Sequence, residues 1–177
     1  MPATGRLEEL LEGATRLAVL GVGSELRSDD VAGVLVAKKL ERSFSSKPGL
    51  LVAKGGSAPE NLTGPIADFR PSHLVVVDCA ELGREPGATE VLPIRGVGGL
   101  SASTHSLPLR IVVDYLLARC PCEVVVVGIQ PERLDFDGRP SRAVLRAARR
   151  VAGSLARAVR EMDRRARATC AREGAAP

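Results

Sequence analysis

The chain has 177 residues, 45% hydrophobic but only 2% aromatic, with a formal net charge of +4 and a pI near 9.2. That length suits one domain with a single core, filled by Val, Leu, Ile and Ala rather than by rings. No apolar run approaches the roughly 18 residues of a membrane span, and Met1 to Leu11 carries Arg6, Glu8 and Glu9 instead of a secretory core. Cys79, Cys120, Cys122 and Cys170 form no C-x-x-C pair of the kind that holds structural zinc. A cytoplasmic protein with free thiols is expected.

Residues 1–14 read as an N-terminal extension. Leu17 to Val22 is the first predicted strand, followed by a helix over Val31 to Ser43 that starts behind the acidic pair Asp29-Asp30. Leu50 to Ala53 is the second strand, and Pro59 to Phe69 the next helix. Leu74 to Val77 and Glu123 to Ile129 are apolar runs without alternation, as in strands buried on both faces of a parallel sheet. Between them, Ala88 to Pro93 is shorter and more polar and suits an antiparallel edge strand, and Leu107 to Arg119 suits a helix. A last helix runs from Ser141 to about Arg167, with Val144, Ala148, Val151, Leu155, Val159 and Met162 on one stripe. From residue 168 the chain is expected to fray. Strands alternating with helices predict a single three-layer α/β sandwich.

The C-terminal stretch carries much of the positive charge, from Arg142 to Arg172. Without stacking aromatics or a nucleic-acid motif, these arginines read as the solvated face of the last helix. Cys120-Pro121-Cys122 reads as a helix end entering a strand.

The first strand runs into Gly21-Val22-Gly23-Ser24-Glu25-Leu26-Arg27-Ser28-Asp29-Asp30. This is not a dinucleotide turn. Leu26 stands where the third glycine would fall, and the second strand ends in Lys54-Gly55-Gly56 with no acid for a ribose. Two carboxylates at the end of the loop repel a pyrophosphate and attract a cation. Asp78 directly follows a buried strand and so sits at the carboxyl edge of the sheet, where open α/β folds bind ligands. His105, one of two histidines, precedes a predicted helix. Two carboxylates and one imidazole from Asp30, Asp78 and His105 make an open site for a borderline divalent ion such as zinc or nickel.

Ser57 offers a rival. Ser57, Asp78 and His105 follow the order serine, acid, histidine, but Pro59 stands where a nucleophile elbow needs glycine. Ser57 and Glu60 instead match a capping box, with Pro59 suited to a first helical turn. A Ser57-dependent hydrolase and a non-catalytic chaperone that binds a metal or a partner subunit are the alternatives to a metal-dependent enzyme.

Taken together, Gly23 to Gly33, Gly55-Gly56-Ser57-Ala58-Pro59-Glu60-Asn61, Arg70-Pro71, Val76-Val77-Asp78, Pro86-Gly87, Thr104 to Leu109 and Gly128-Ile129-Gln130-Pro131 resemble the hydrogenase maturation endopeptidase family. The resemblance spans Leu17 to about Pro131. It implies an α/β/α sandwich around a five-stranded, mostly parallel mixed sheet, and metal ligands at Asp30, Asp78 and His105. It also implies a metal-dependent or aspartyl-type hydrolase that removes a C-terminal extension from the large-subunit precursor of a nickel–iron hydrogenase. The nickel is supplied by that substrate, and zinc or cadmium can substitute in vitro. Asp30 and Asp29 are the candidates to assist an attacking water. Nucleic acid and membrane insertion are not expected. Two positions depart from the family: Ser24 replaces an asparagine and keeps hydrogen-bonding ability, and Val31 replaces a glycine after the acidic pair and stiffens the helix start.

Overall fold

The computed structural model describes residues 3–44, 46–92 and 109–173. Five strands lie in the order β2-β1-β3-β5-β4. They are β1 (Leu17–Val22), β2 (Leu50–Gly56), β3 (His73–Cys79), β4 (Thr89–Leu92) and β5 (Glu123–Ile129). β1 pairs in parallel with β2 and β3, β3 pairs in parallel with β5, and only the edge strand β4 is antiparallel. The unbroken apolar runs produce this arrangement: every residue of β1 and of β3 is buried, so both sheet faces must be covered.

Alternate residues serve opposite layers, as the two-residue period of a strand requires. Val19, Val75, Val77, Val125 and Val127 pack beneath α1 (Ala3–Leu10), α2 (Ala32–Ser43) and α5 (Arg142–Glu173). Leu20, Leu74, Val76 and Val126 pack against α3 (Thr63–Phe69) and α4 (Leu109–Arg119). Each fully buried Leu or Val side chain contributes about 1.5–3 kcal/mol relative to exposure, and the core needs no aromatic ring.

Several expectations shift. The N-terminal extension is in part helical: α1 buries Leu7, and the turn after it Leu11, in the layer with α5, and α1 joins α5 through a Glu8–Arg157 ion pair of 2.8 Å. The helix placed over Val31 to Ser43 begins one residue later, behind a 3₁₀ turn Ser28–Val31 that holds both acids. The segment from Pro59 to Phe69 divides into a 3₁₀ turn Pro59–Leu62 and α3. The capping box expected there does not form: Ala58, not Ser57, holds the cap position, and no side chain caps the turn. Three-residue hydrogen bonding accommodates Pro59, and the Thr63 hydroxyl donates to the Glu60 carbonyl at 2.8 Å to start α3. α5 continues to Glu173, past the expected fraying point.

The arginines of α5 belong to a solvated face. Arg164 and Arg165 pair with Glu161, Arg167 pairs with Asp163, and Arg160 lies over the Phe44 ring at 5.6 Å. The four cysteines are free thiols; Cys79 and Cys120 are buried, and Cys120 to Cys122 links α4 to β5 as expected. Among the described residues no helix is long and apolar enough to cross a membrane.

Candidate functional site

The chain leaves β1 through α2 to reach β2 on one side, then returns through α3 to β3 on the other. The order therefore reverses between β1 and β3, which opens a crevice at the carboxyl ends of these two strands. Asp30 lies on the turn after β1, and Asp78 is the penultimate residue of β3. Both flank that crevice.

Backbone contact places the turn. A methyl group built at Gly33 would lie 2.0 Å from the Val77 carbonyl oxygen and 2.4 Å from that of Val22, so only glycine lets α2 start directly on the two strands. Gly23 has φ +122, and a side chain there would meet the Asp30 carbonyl at 1.7 Å. The turn thereby folds back until the Ser24 N–H donates to Asp30 Oδ2 at 2.9 Å. The main chain makes this bond, so replacing the family's asparagine by Ser24 does not cost it. The Ser24 hydroxyl instead accepts from the Leu26 N–H at 3.2 Å.

The two adjacent acids have opposite fates. Asp29 is fully buried with both oxygens hydrogen-bonded: Oδ2 accepts from the N–H groups of Glu132 at 2.8 Å and Arg133 at 3.2 Å, and Oδ1 from that of Ser141 at 2.6 Å. It ties the turn to the 131–141 loop and to the start of α5, where the Ser141 hydroxyl caps the helix through the Val144 N–H at 3.2 Å. Asp30 is equally buried, yet its Oδ1 has no hydrogen-bond partner among the described residues. Burial pushes the Asp30 carboxyl above the usual carboxylate range, against the opposing pull of the Ser24 N–H and the Arg27 guanidinium.

Asp78 is buried, and its Oδ1 accepts from the Cys79 N–H at 2.8 Å. The Cys79 thiol is raised far above its ordinary pKa, first by burial and then by the charges of Asp78, Asp30 and Asp29. All three carboxylates thus converge within electrostatic reach of one buried sulfur, which stays protonated and is neither a nucleophile nor a thiolate ligand. His105 lies outside the described residues, as does the start of the helix placed at Leu107. Among the described residues no group of three His, Cys, Asp or Glu side chains is arranged to hold a metal. The donor chemistry present nevertheless fits a cation: a desolvated carboxylate oxygen left without any donor is stabilised by a positive charge.

Gln130 was not legible as a site residue. Buried after β5, it accepts from the Leu82 N–H at 2.7 Å and the Arg84 N–H at 3.3 Å through Oε1, and donates to Glu81 Oε1 at 3.0 Å through Nε2. It thereby fixes the loop that continues from Asp78. Its appearance in the Gly128-Ile129-Gln130-Pro131 motif was the only signal. Ser57 is exposed on the turn after β2.

The hydrogenase maturation protease profile, HycI, matches residues 34–158. The chain belongs to the hydrogenase maturation protease family. It is 34% identical over 119 residues to the hydrogenase 3 maturation protease of Escherichia coli K12, covering 67% of this chain and 74% of that one. The crystal structure of the [NiFe] hydrogenase maturation protease HycI from Thermococcus kodakarensis KOD1 superposes with a TM-score of 0.79 at 34% identity, over 87% of this chain and 98% of that chain. The hydrogenase maturating endopeptidase HybD from E. coli superposes with a TM-score of 0.70 at 26% identity, over 82% and 93% of the two chains. As a member of this family the chain is an endopeptidase of hydrogenase maturation, and the binding-only alternative gives way to that reading.

Proposed function

We propose that this maturation protease removes the C-terminal extension of a nickel-loaded large-subunit precursor, and that Asp30, Asp78 and His105 grip the nickel carried by that substrate. The observation that carries the reading is the buried, unpartnered Oδ1 of Asp30. A folded chain rarely leaves such an atom without a donor, because an unmet buried polar group costs about 1–3 kcal/mol. A cation brought in by the partner relieves that cost, which makes the site selective for loaded precursor. Asp78 supplies the second carboxylate across the β1–β3 crevice, and an imidazole from His105 completes an N/O donor set suited to nickel or zinc.

Gripping the nickel also orders the adjoining tail, so that the scissile bond is held in the crevice. A metal there supplies polarisation of a carbonyl. Asp30, at the crevice, is the better-placed group to take a proton from an attacking water. Asp29 already accepts from three backbone donors and is fully buried, and is assigned to positioning.

The deciding experiment is mass spectrometry of a co-expressed large-subunit precursor with and without nickel. Wild-type protein is expected to remove a C-terminal peptide only when nickel is supplied, and His105→Ala to leave the precursor full length. Normal processing by His105→Ala would overturn the ligand set.

A further inference from the structure

We infer that Leu26 and Phe136 form a docking platform for the precursor large subunit beside the acidic crevice. Both side chains are large, apolar and exposed, Leu26 at 66% and Phe136 at 68%. They come from segments over 100 residues apart that are stitched into one ridge. Arg27 and Phe136 form a β-bridge, the Asp137 N–H donates to the Leu26 carbonyl at 2.9 Å, and the Ser28 hydroxyl donates to the Asp135 carbonyl at 2.9 Å. The Arg27 guanidinium reaches the Leu134 carbonyl at 3.4 Å and faces the Phe136 ring at 5.2 Å. Asp29 anchors the base of the ridge through its three backbone bonds. The chain therefore spends a dense set of hydrogen bonds on holding two apolar side chains largely out in solvent.

The occupant follows from the proposed function, on which this inference rests. A metal carried by a partner must come within roughly 2 Å of a carboxylate oxygen to bond it. Asp30 lies at the foot of the turn that carries Leu26, four residues away. Four residues span at most roughly 15 Å, whereas a partner's footprint of about 800 Å² has a radius of roughly 16 Å. A footprint of that size centred on Asp30 reaches Leu26, and Phe136, which is bridged to the neighbouring Arg27, so a folded protein that delivers nickel there has both side chains within its contact area. Exposed apolar side chains at such a position act as anchors that bury in the partner and exclude water from the crevice.

The test is the rate of C-terminal processing against concentration of purified nickel-loaded precursor, for wild type and for the double variant L26S/F136S. Half-saturation is expected to rise about tenfold or more, with kcat held within twofold and thermal stability unchanged, because both residues are exposed. In parallel, binding of the same precursor to D30N should be weakened by a similar factor when L26S/F136S is added. A double variant that processes at the wild-type half-saturation and binds as tightly in the D30N background overturns the platform while leaving the protease reading intact. A wild-type protein that never cleaves the loaded precursor overturns the protease reading, and the platform with it.

Discussion

The two ends of the sheet treat polar groups differently. At the amino end, the Ser72 hydroxyl accepts from the N–H groups of Thr15 at 3.0 Å and Arg16 at 3.1 Å and donates to the Arg16 carbonyl at 3.0 Å. The Arg16 side chain donates to the Phe69 carbonyl at 3.0 Å and covers the Phe69 ring at 4.3 Å. Every partner there comes from the chain itself, and the result is a closed seam. At the carboxyl end, Asp29 is spent in the same manner, but Asp30 beside it keeps one buried oxygen without a donor among the described residues. The first end is complete once folded. On the proposed function the second is completed by a cation from the partner, and this separates a structural polar cluster from a working one.

Substitutions at the two ends should keep that distinction. Asp30→Asn should lower nickel-dependent processing more than a hundredfold, read by mass spectrometry of the precursor, while raising stability in urea by about 1 kcal/mol, because a desolvated charge is removed. A stability loss in that variant would mean that Asp30 is spent on the fold after all. Asp29→Ala should do the reverse and cost about 2–3 kcal/mol in urea denaturation, since three buried N–H groups lose their acceptor. At the amino end, Ser72→Ala should cost about 1 kcal/mol and leave processing untouched.

The smallest effect belongs to His73, buried beside Ser72 with its Nδ1 3.1 Å from that hydroxyl. Burial lowers its pKa, against the pull of Glu123. The unfolded chain therefore takes up the proton first as pH falls below about 6.5. Stability conferred by a neutral His73 is present above that pH and is lost on acidification toward the lower folded value. His73→Gln should flatten this slope in urea denaturation at pH 7.5 and 5.5. A slope identical to wild type would show that His73 is as well solvated in the fold as out of it.

Much of this was legible in the sequence. Unbroken Val and Leu runs identified the interior strands, because only a sheet covered on both faces tolerates them, and the polar Ala88 to Pro93 segment identified the edge. Asp30 and Asp78 were legible because each follows such a run, so chain connectivity alone carries them to the same rim. Ser57 misled because a capping box is a local pattern, whereas Pro59 and packing on β2 produced a 3₁₀ turn with Ala58 at its head. The difference between Asp29 and Asp30 was not legible at all. It depends on backbone donors at 132, 133 and 141, more than 100 residues away, which no local spacing reveals.

The missing side chain at Gly33 has a consequence for how this enzyme can vary. Because α2 meets the sheet main chain to main chain, atomic radii of carbonyl groups, not the fit of apolar side chains, fix how far the acidic turn stands from the end of β3. The hydrophobic layers can thus exchange Val, Leu and Ala among themselves without altering the gauge of the crevice. Catalytic spacing and core composition are mechanically uncoupled, and a single methyl group at residue 33 is enough to couple them again.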